Sequence, residues 1–173
     1  MVQFIIHHSN EGYIYLSQFY NTNMQTRKLE ALMEIIIAHL KSDDEREGSL
    51  FMAESSRYST YVIESQEYST SSLKSLQEEF EGIRIIYYCY GGIIITIGLH
   101  DYDSIYVAKN FIENWVLLLR RLYKTNSLTN IYERIEEVLV HLDKLLPSGN
   151  LTLMNQSYLD YLKTEAGNLL KAL

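Results

Sequence analysis

The 173-residue sequence contains one cysteine, one proline and no long hydrophobic run. A single thiol excludes an internal disulfide and a zinc ribbon, and it fits a reducing compartment. The longest apolar runs are much shorter than the roughly 18 residues that a membrane span needs, and the first residues lack the basic start and apolar core of a signal peptide. We therefore expect a soluble protein that stays inside the cell. Since no Gly/Ser linker divides the chain, residues 1–173 are expected to form one domain.

Positive charge is also scarce, and the deficit lies in one segment. The chain has 15 Lys and Arg against 22 Asp and Glu, a net charge of −7, whereas nucleic-acid binding proteins usually have the opposite balance. Residues 43–81 hold ten acidic and three basic residues, so this segment accounts for the whole net charge. We expect no nucleic-acid partner.

The same segment is rich in serine and threonine, which favours a solvated, mobile insertion. Within it, Leu50–Ala53 could form an edge strand and Ser72–Phe80 a helical turn. Deletion of residues 43–81 is therefore expected to change the stability of an assembled complex that contains the protein very little.

Apolar periodicity predicts the other elements. The runs VQFIIHH and YIYLSQF flank a turn at Gly12 and indicate a β-hairpin, and an amphipathic helix follows over residues 23–41. The runs IRIIYYCY and IIITIGL form a second hairpin around Gly91 and Gly92. Three helices are expected next: one from Asp103 or Ser104 to about Thr125, one from Ser127 or Thr129 to the LPSG turn, and one beginning at Asn155 or Ser157. This order predicts an α+β domain whose helices cover an antiparallel sheet.

No group of side chains in the sequence predicts catalysis. Gly91 and Gly92 lie between two strands and lack the further Gly or Lys of a phosphate loop, so they indicate a tight turn. His7 and His8 are neighbours on one strand and point to opposite faces, so both cannot bind one metal ion; one is expected to be a half-buried ring hydrogen-bonded to backbone. His100 lies between a strand and a helix, where turn residues are common. We expect no enzyme activity, no cofactor and no metal site.

The helix that follows the second hairpin is apolar around most of its circumference, since four apolar residues, Trp115–Leu118, are consecutive. A helix that is apolar on all sides must be covered on all sides. Other helices of the same chain could provide that cover, and so could a second polypeptide. We adopt the second interpretation as the hypothesis, with Trp115 at the centre of the contact.

The opening residues resemble those of the small sigma subunits of clathrin-adaptor-type complexes. In MVQFIIHHSNEGYIYLSQFY, the residues at the spacing of this family are Phe4, Gly12, Leu16, Phe19 and Tyr20. IRIIYYCYGGIII resembles the second hairpin of the family, and NFIENW resembles the helix after it. The segment YERIEEVLVHLDKLLPSGNLTLMNQSYLDYLKTE and the long insertion resemble the sigma subunit of the fifth adaptor complex in particular.

This resemblance implies a longin-like (SNARE-like) fold, with a five-stranded antiparallel sheet flanked by helices and extra helices at the C-terminal end. It implies a non-catalytic small subunit of a heterotetrameric adaptor or coat complex for vesicle trafficking and cargo sorting, bound to a large adaptin-type subunit. It also implies a cytoplasmic protein that associates indirectly with endosomal, lysosomal or Golgi membranes. Two alternative functions stay open: a zeta-type COPI coat subunit and a longin-fold regulator of a trafficking GTPase.

The resemblance also suggests where a partner or a sorting signal would bind. Several sigma subunits have a groove for acidic dileucine signals, whose lining corresponds here to Gly91, Ile93, Ile112, Leu122 and Ile131. The basic residues of that groove correspond to Tyr15 and Tyr88, which carry no charge. Plain core packing is the alternative role for the five lining positions. Together with Trp115, they are the candidate site residues.

Overall fold

The structure is a computed structural model. It describes residues 1–20, 26–47, 57–62, 80, 82–90, 92–100, 102–123, 132, 134–151, 155, 157–158, 160–161 and 164–165. The chain divides into two compact units, residues 2–103 and residues 104–173 together with Met1, and each unit is described by itself.

The unit of residues 2–103 contains a five-stranded antiparallel sheet, as the resemblance implied. Its strands are β1 (Val2–His8), β2 (Ile14–Phe19), β3 (Arg57–Val62), β4 (Arg84–Tyr90) and β5 (Ile93–Leu99). Their order across the sheet is β2-β1-β5-β4-β3. The hairpin β1–β2 and the hairpin β4–β5 are both confirmed, and they join because β1 pairs with β5 at the centre of the sheet.

Both hairpin turns use glycine in the way that the sequence indicates. Gly12 has φ +91° and Gly92 has φ +82°. Residues with a Cβ rarely adopt these backbone conformations. In the first turn, the hydroxyl oxygen of Ser9 accepts hydrogen bonds from the amides of Glu11 and Tyr13, at 3.2 and 3.1 Å. These bonds fix the connection between β1 and β2.

The helix α1 (Thr26–Glu47) packs against one face of this sheet. Leu32, Ile36 and Leu40 recur at helical spacing and are all buried. The core that they share with the sheet contains Phe4, Ile6, Met33, Ile35, Phe80, Ile83, Ile85, Tyr87, Cys89 and Ile94. Residues on the opposite face of the sheet, such as Ile5 and Ile95, are buried as well.

Parts of the acidic segment 43–81 form described elements of this unit, and the mobility of the insertion as a whole stays a prediction. The helix α1 continues to Glu47, six residues beyond its predicted end at Lys41. An edge strand forms at Arg57–Val62, where the sequence predicted none. The strand predicted at Leu50–Ala53 lies outside the described residues. Tyrosine, threonine and valine fit a pleated surface well, so RYSTYV favours a strand although its hydroxyl groups are polar.

Phe80 is a third described part of that segment. Its side chain is fully buried and belongs to the core beneath α1. The rest of the helical turn predicted over Ser72–Phe80 lies outside the described residues. Deletion of residues 43–81 would therefore remove a strand and a core residue.

The unit of residues 104–173 is helical. It contains α2 (Ile105–Tyr123) and α3 (Ile135–Leu145), followed by a 3₁₀ turn at Pro147–Gly149. The carbonyl of Ser104 accepts the first helical hydrogen bond of α2, from the amide of Ala108 at 3.2 Å, so Ser104 is the cap residue. The predicted start at Asp103 or Ser104 is therefore confirmed.

The predicted last helix is present in the described residues near the C-terminal end. Residues 157–158, 160–161 and 164–165 are helical. The side-chain oxygen of Asn155 accepts a hydrogen bond from the Tyr158 amide at 2.9 Å, which is the contact that a helix N-cap makes. Lys144 Nζ lies 3.0 Å from Glu165 Oε1 and links α3 to this helix. Of the two predicted starting residues, Asn155 is the cap.

Candidate partner-binding residues

Three of the six candidate site residues have described side chains, and all three are buried within the single chain. Ile93 in β5 is 1% exposed, and Ile112 and Trp115 in α2 are 0% exposed. Ile112 and Trp115 are three residues apart and share one face of α2. The side chain of Leu122 and all of Gly91 and Ile131 lie outside the described residues.

The apolar run Trp115–Leu118 shows how α2 is covered. Trp115, Val116 and Leu118 are buried, while Leu117 is 43% exposed. The buried positions combine with Ala108, Phe111, Ile112 and Leu119 into a broad apolar face. This burial favours the alternative interpretation, in which the chain covers its own helix, and a contact between Trp115 and a partner stays a prediction.

The solvent-exposed side of α2 is mostly charged. Glu113, Arg120 and Arg121 are exposed there, and Leu117 lies among them. On α3, Leu139 is likewise exposed between charged residues. Periodicity predicts that α2 is buried but does not reveal which member of a continuous apolar run reaches the surface, so Leu117 could not be singled out from the sequence.

The two adjacent histidines of β1 are both fully buried. Ser9 O, a carbonyl oxygen, can only accept a hydrogen bond, so His8 Nδ1 carries the proton and donates it at 2.8 Å. His8 Nε2 then accepts a hydrogen bond from the Thr96 hydroxyl at 2.9 Å. The predicted bond between a histidine ring and the backbone is thus confirmed, in a ring that is more deeply buried than expected.

Burial sets the charge of these two rings. Desolvation lowers the pKa of His8 to about 4, although the hydrogen bond to Ser9 opposes the shift. Desolvation, and then repulsion by the neighbouring His8, lowers the pKa of His7 to about 3. Both rings are neutral at pH 7, and both act as structural groups inside the sheet.

His100 takes the turn position that its place in the sequence predicts. Its amide donates a hydrogen bond to Asp103 Oδ2 at 3.1 Å, and its ring stacks on Tyr102 with centroids 5.2 Å apart. Across the residues that the structure describes, no three His, Cys, Asp or Glu side chains are grouped so that they could hold a metal ion. Within that same part of the chain, no helix combines the length and the hydrophobicity needed to cross a membrane.

The strand order β2-β1-β5-β4-β3, with α1 on one face and further helices after β5, defines a longin-like α+β fold. The family model of the clathrin adaptor complex small chain matches residues 1–160. The protein therefore belongs to the clathrin adaptor complex small chain family.

Comparison with solved structures agrees with this fold. The structure is similar to a chain of a homology model of the full-length AP-3 complex in a stretched open conformation, with a TM-score of 0.66 and 17% sequence identity. The similarity covers 99% of this chain and 95% of that chain. Comparison with curated protein sequences gives no match.

Proposed function

We propose that this protein is the non-catalytic small subunit of a heterotetrameric adaptor complex that sorts cargo in intracellular vesicle trafficking. The family match over residues 1–160 carries the proposal, and the similarity of the fold to a chain of the AP-3 complex supports it. The proposal includes a large adaptin-type subunit as the direct partner. It also includes indirect, peripheral association with endosomal, lysosomal or Golgi membranes from the cytoplasmic side.

Within this family, the features near the C-terminal end favour a subunit of the fifth adaptor complex. The resemblance to that subunit rests on a Pro-x-Gly turn, an apolar run and an asparagine before an amphipathic helix. The structure has the turn at Pro147–Gly149 and a helix capped by Asn155. At 17% identity, the similarity to the AP-3 chain concerns the fold and does not choose between complexes.

Recognition of cargo sorting signals by the five groove positions stays a prediction. Ile93 and Ile112 are buried, which supports a role in core packing. Tyr88, at a position where the family has a basic residue, is buried and uncharged. The proposed function therefore depends on the contact with the large subunit and does not depend on a dileucine groove.

Co-expression with candidate large subunits tests the proposed function. The affinity-tagged protein should recover an adaptin-type large chain in equal amounts, and the large chain of the fifth complex should compete successfully with that of the third. COPI large chains and trafficking GTPases serve as the controls for the two alternative functions. Recovery of this protein alone in the presence of every adaptin-type chain would contradict the proposal.

A further inference from the structure

Two exposed leucines lie on the helices of the unit of residues 104–173. Leu117 on α2 is 43% exposed and Leu139 on α3 is 37% exposed. Apart from Met1, they are the exposed large aliphatic side chains among the residues whose burial the structure describes. Single exposed leucines are common on protein surfaces, so exposure alone does not identify a contact. The charges around these two leucines distinguish them.

The charges beside Leu117 are mainly positive. Arg120 and Arg121 are exposed in the last turn of α2, about 4.5 and 6 Å from Leu117 along the helix axis. Glu113 is exposed one turn before Leu117. Two positive charges and one negative charge therefore surround Leu117 on the exposed side of α2. We call these four residues the basic patch.

The charges beside Leu139 are negative. Glu136 lies about 4.5 Å before Leu139 along the axis of α3 and Asp143 lies about 6 Å after it, and both are exposed. Spacings of three and four residues place all three side chains on one face of the helix. We call these three residues the acidic patch.

The cations of α3 and its cap do not neutralise the acidic patch. Arg134 pairs with Glu137, and Lys144 Nζ lies 3.0 Å from Glu165 Oε1, so both cations are directed to other carboxylates. Residues 104–173 hold eight basic and seven acidic residues in total, so the net charge of −7 does not arise from this unit. The two patches are therefore local features of opposite sign on a nearly neutral surface.

The two patches have matching patterns. Each has a leucine at its centre and charges at about the same distances along the helix, so Leu117 and Leu139 can meet while Arg120 and Arg121 lie opposite an acid. Because one chain has both patches, two copies related by a two-fold axis would make this contact twice. Charges of the acidic segment oppose the association only within a Debye length of about 8 Å at physiological salt.

We propose that the free protein binds a second copy of itself by docking the basic patch of each chain on the acidic patch of the other. The leucines supply a small apolar centre, and the surrounding charges select the orientation. This association concerns the chain without its adaptor partners, so it goes beyond the proposed function, and either proposal can fail without the other.

Sedimentation equilibrium of the full-length protein tests the proposal. The weight-average mass should rise from the 20.2 kDa of one chain toward twice that value as the concentration increases from about 10 μM to about 1 mM, since small patches bind weakly. A higher salt concentration should weaken the association. A mass that stays at 20.2 kDa over this range would overturn the proposal.

Exchange of the charges between the patches identifies the contact. Arg120→Glu with Arg121→Glu makes the basic patch acidic, and Glu136→Lys with Asp143→Lys makes the acidic patch basic. Each double variant alone should associate about tenfold more weakly or less. An equimolar mixture of the two should associate again, because the reversed patches face each other and the unaltered patches face each other, with opposite charges in both contacts. A mixture that stays monomeric would contradict the proposed pairing.

Control variants separate the patches from total charge and from general stickiness. Glu30→Lys with Glu34→Lys makes the same charge change as the α3 variant at exposed positions on α1, and it should not weaken the association. Leu117→Ser should weaken it about fivefold or more, whereas Tyr13→Ser, at a side chain that is 69% exposed, should leave it within about twofold. Equal weakening by the patch variants and the controls would exclude these two helices as the interface.

Discussion

Phe80 is a core residue within a stretch of sequence that composition alone assigns to solvent. Its ring is fully buried beneath α1. We predict that Phe80→Ala lowers the free energy of unfolding by about 3–5 kcal/mol, because it removes a large apolar side chain and leaves a cavity. Urea denaturation measures this change. Tyr102→Ala, at a side chain that is 91% exposed, is the control and should change stability by less than about 0.5 kcal/mol. Similar effects of the two substitutions would show that Phe80 is not in the core.

The buried histidines predict how stability depends on pH. In the unfolded chain both take up protons as the pH falls below 6.5, whereas in the folded chain the lowered pKa values, about 4 for His8 and about 3 for His7, keep them neutral. Their contribution is therefore fully present above pH 6.5 and is lost as the pH falls toward 4 and 3. We expect the free energy of unfolding to fall by up to about 4 kcal/mol between pH 7.5 and pH 5.

Denaturation curves at a series of pH values measure this dependence. His8→Gln should reduce the slope below pH 6 by about half, because one of the two linked groups is removed. His100→Asn, which replaces an exposed ring, is the matched control and should leave the slope unchanged. A slope that is the same in all three proteins would exclude the buried histidines as its cause.

At the scale of the elements, the apolar run of α2 contains side chains with two different roles. Buried Trp115 stabilises the fold, and exposed Leu117 is available for contact with a partner. We predict that Trp115→Ala lowers the free energy of unfolding by about 3–5 kcal/mol with no partner present, because the ring is fully buried. Leu117→Ser should change it by less than about 1 kcal/mol, since this side chain is partly exposed. Thermal denaturation of the isolated variants checks both values.

The same two positions test which part of α2 a partner can reach. Leu117 is the member of the run that is open to solvent, so Leu117→Ser should weaken recovery of the proposed large subunit more than Leu139→Ser on α3 does. Co-purification of the tagged variants measures this difference. If Trp115→Phe, which keeps most of the buried apolar volume, weakened recovery more than Leu117→Ser did, the original hypothesis about Trp115 would be restored.

Most of the elements could be predicted from apolar periodicity. The stripe of Leu32, Ile36 and Leu40 indicates α1, and the glycine turns indicate both hairpins, because these signals depend on local spacing and backbone conformation. β3 could not be placed correctly, since its serine, threonine and tyrosine residues resemble the polar sequence around them. The cover of Trp115 could not be decided either, because amphipathicity shows that a face is buried without showing what buries it.

At the scale of the whole molecule, the segment 43–81 contributes to both the stability and the solubility of the protein. It contains β3 and Phe80, and it holds the entire net charge. We predict that its deletion lowers the melting temperature by about 10 °C or more and promotes aggregation, because a core residue, an edge strand and the net repulsive charge are all lost. Removal of residues 66–76, which include neither β3 nor Phe80, is the matched control and should have a much smaller effect. Differential scanning calorimetry and light scattering distinguish these outcomes.

The pairing of β1 with β5 also governs when the first unit can form during synthesis. The ribosome makes β1 before β5, and β5, which pairs with the side of β1 that faces the centre of the sheet, ends only at Leu99. At about 5–20 residues per second, a nascent hairpin of β1 and β2 waits roughly 4–16 s with one side of β1 unpaired. Since unpaired strands are prone to misassembly, this interval is when chaperones would have to protect the emerging chain.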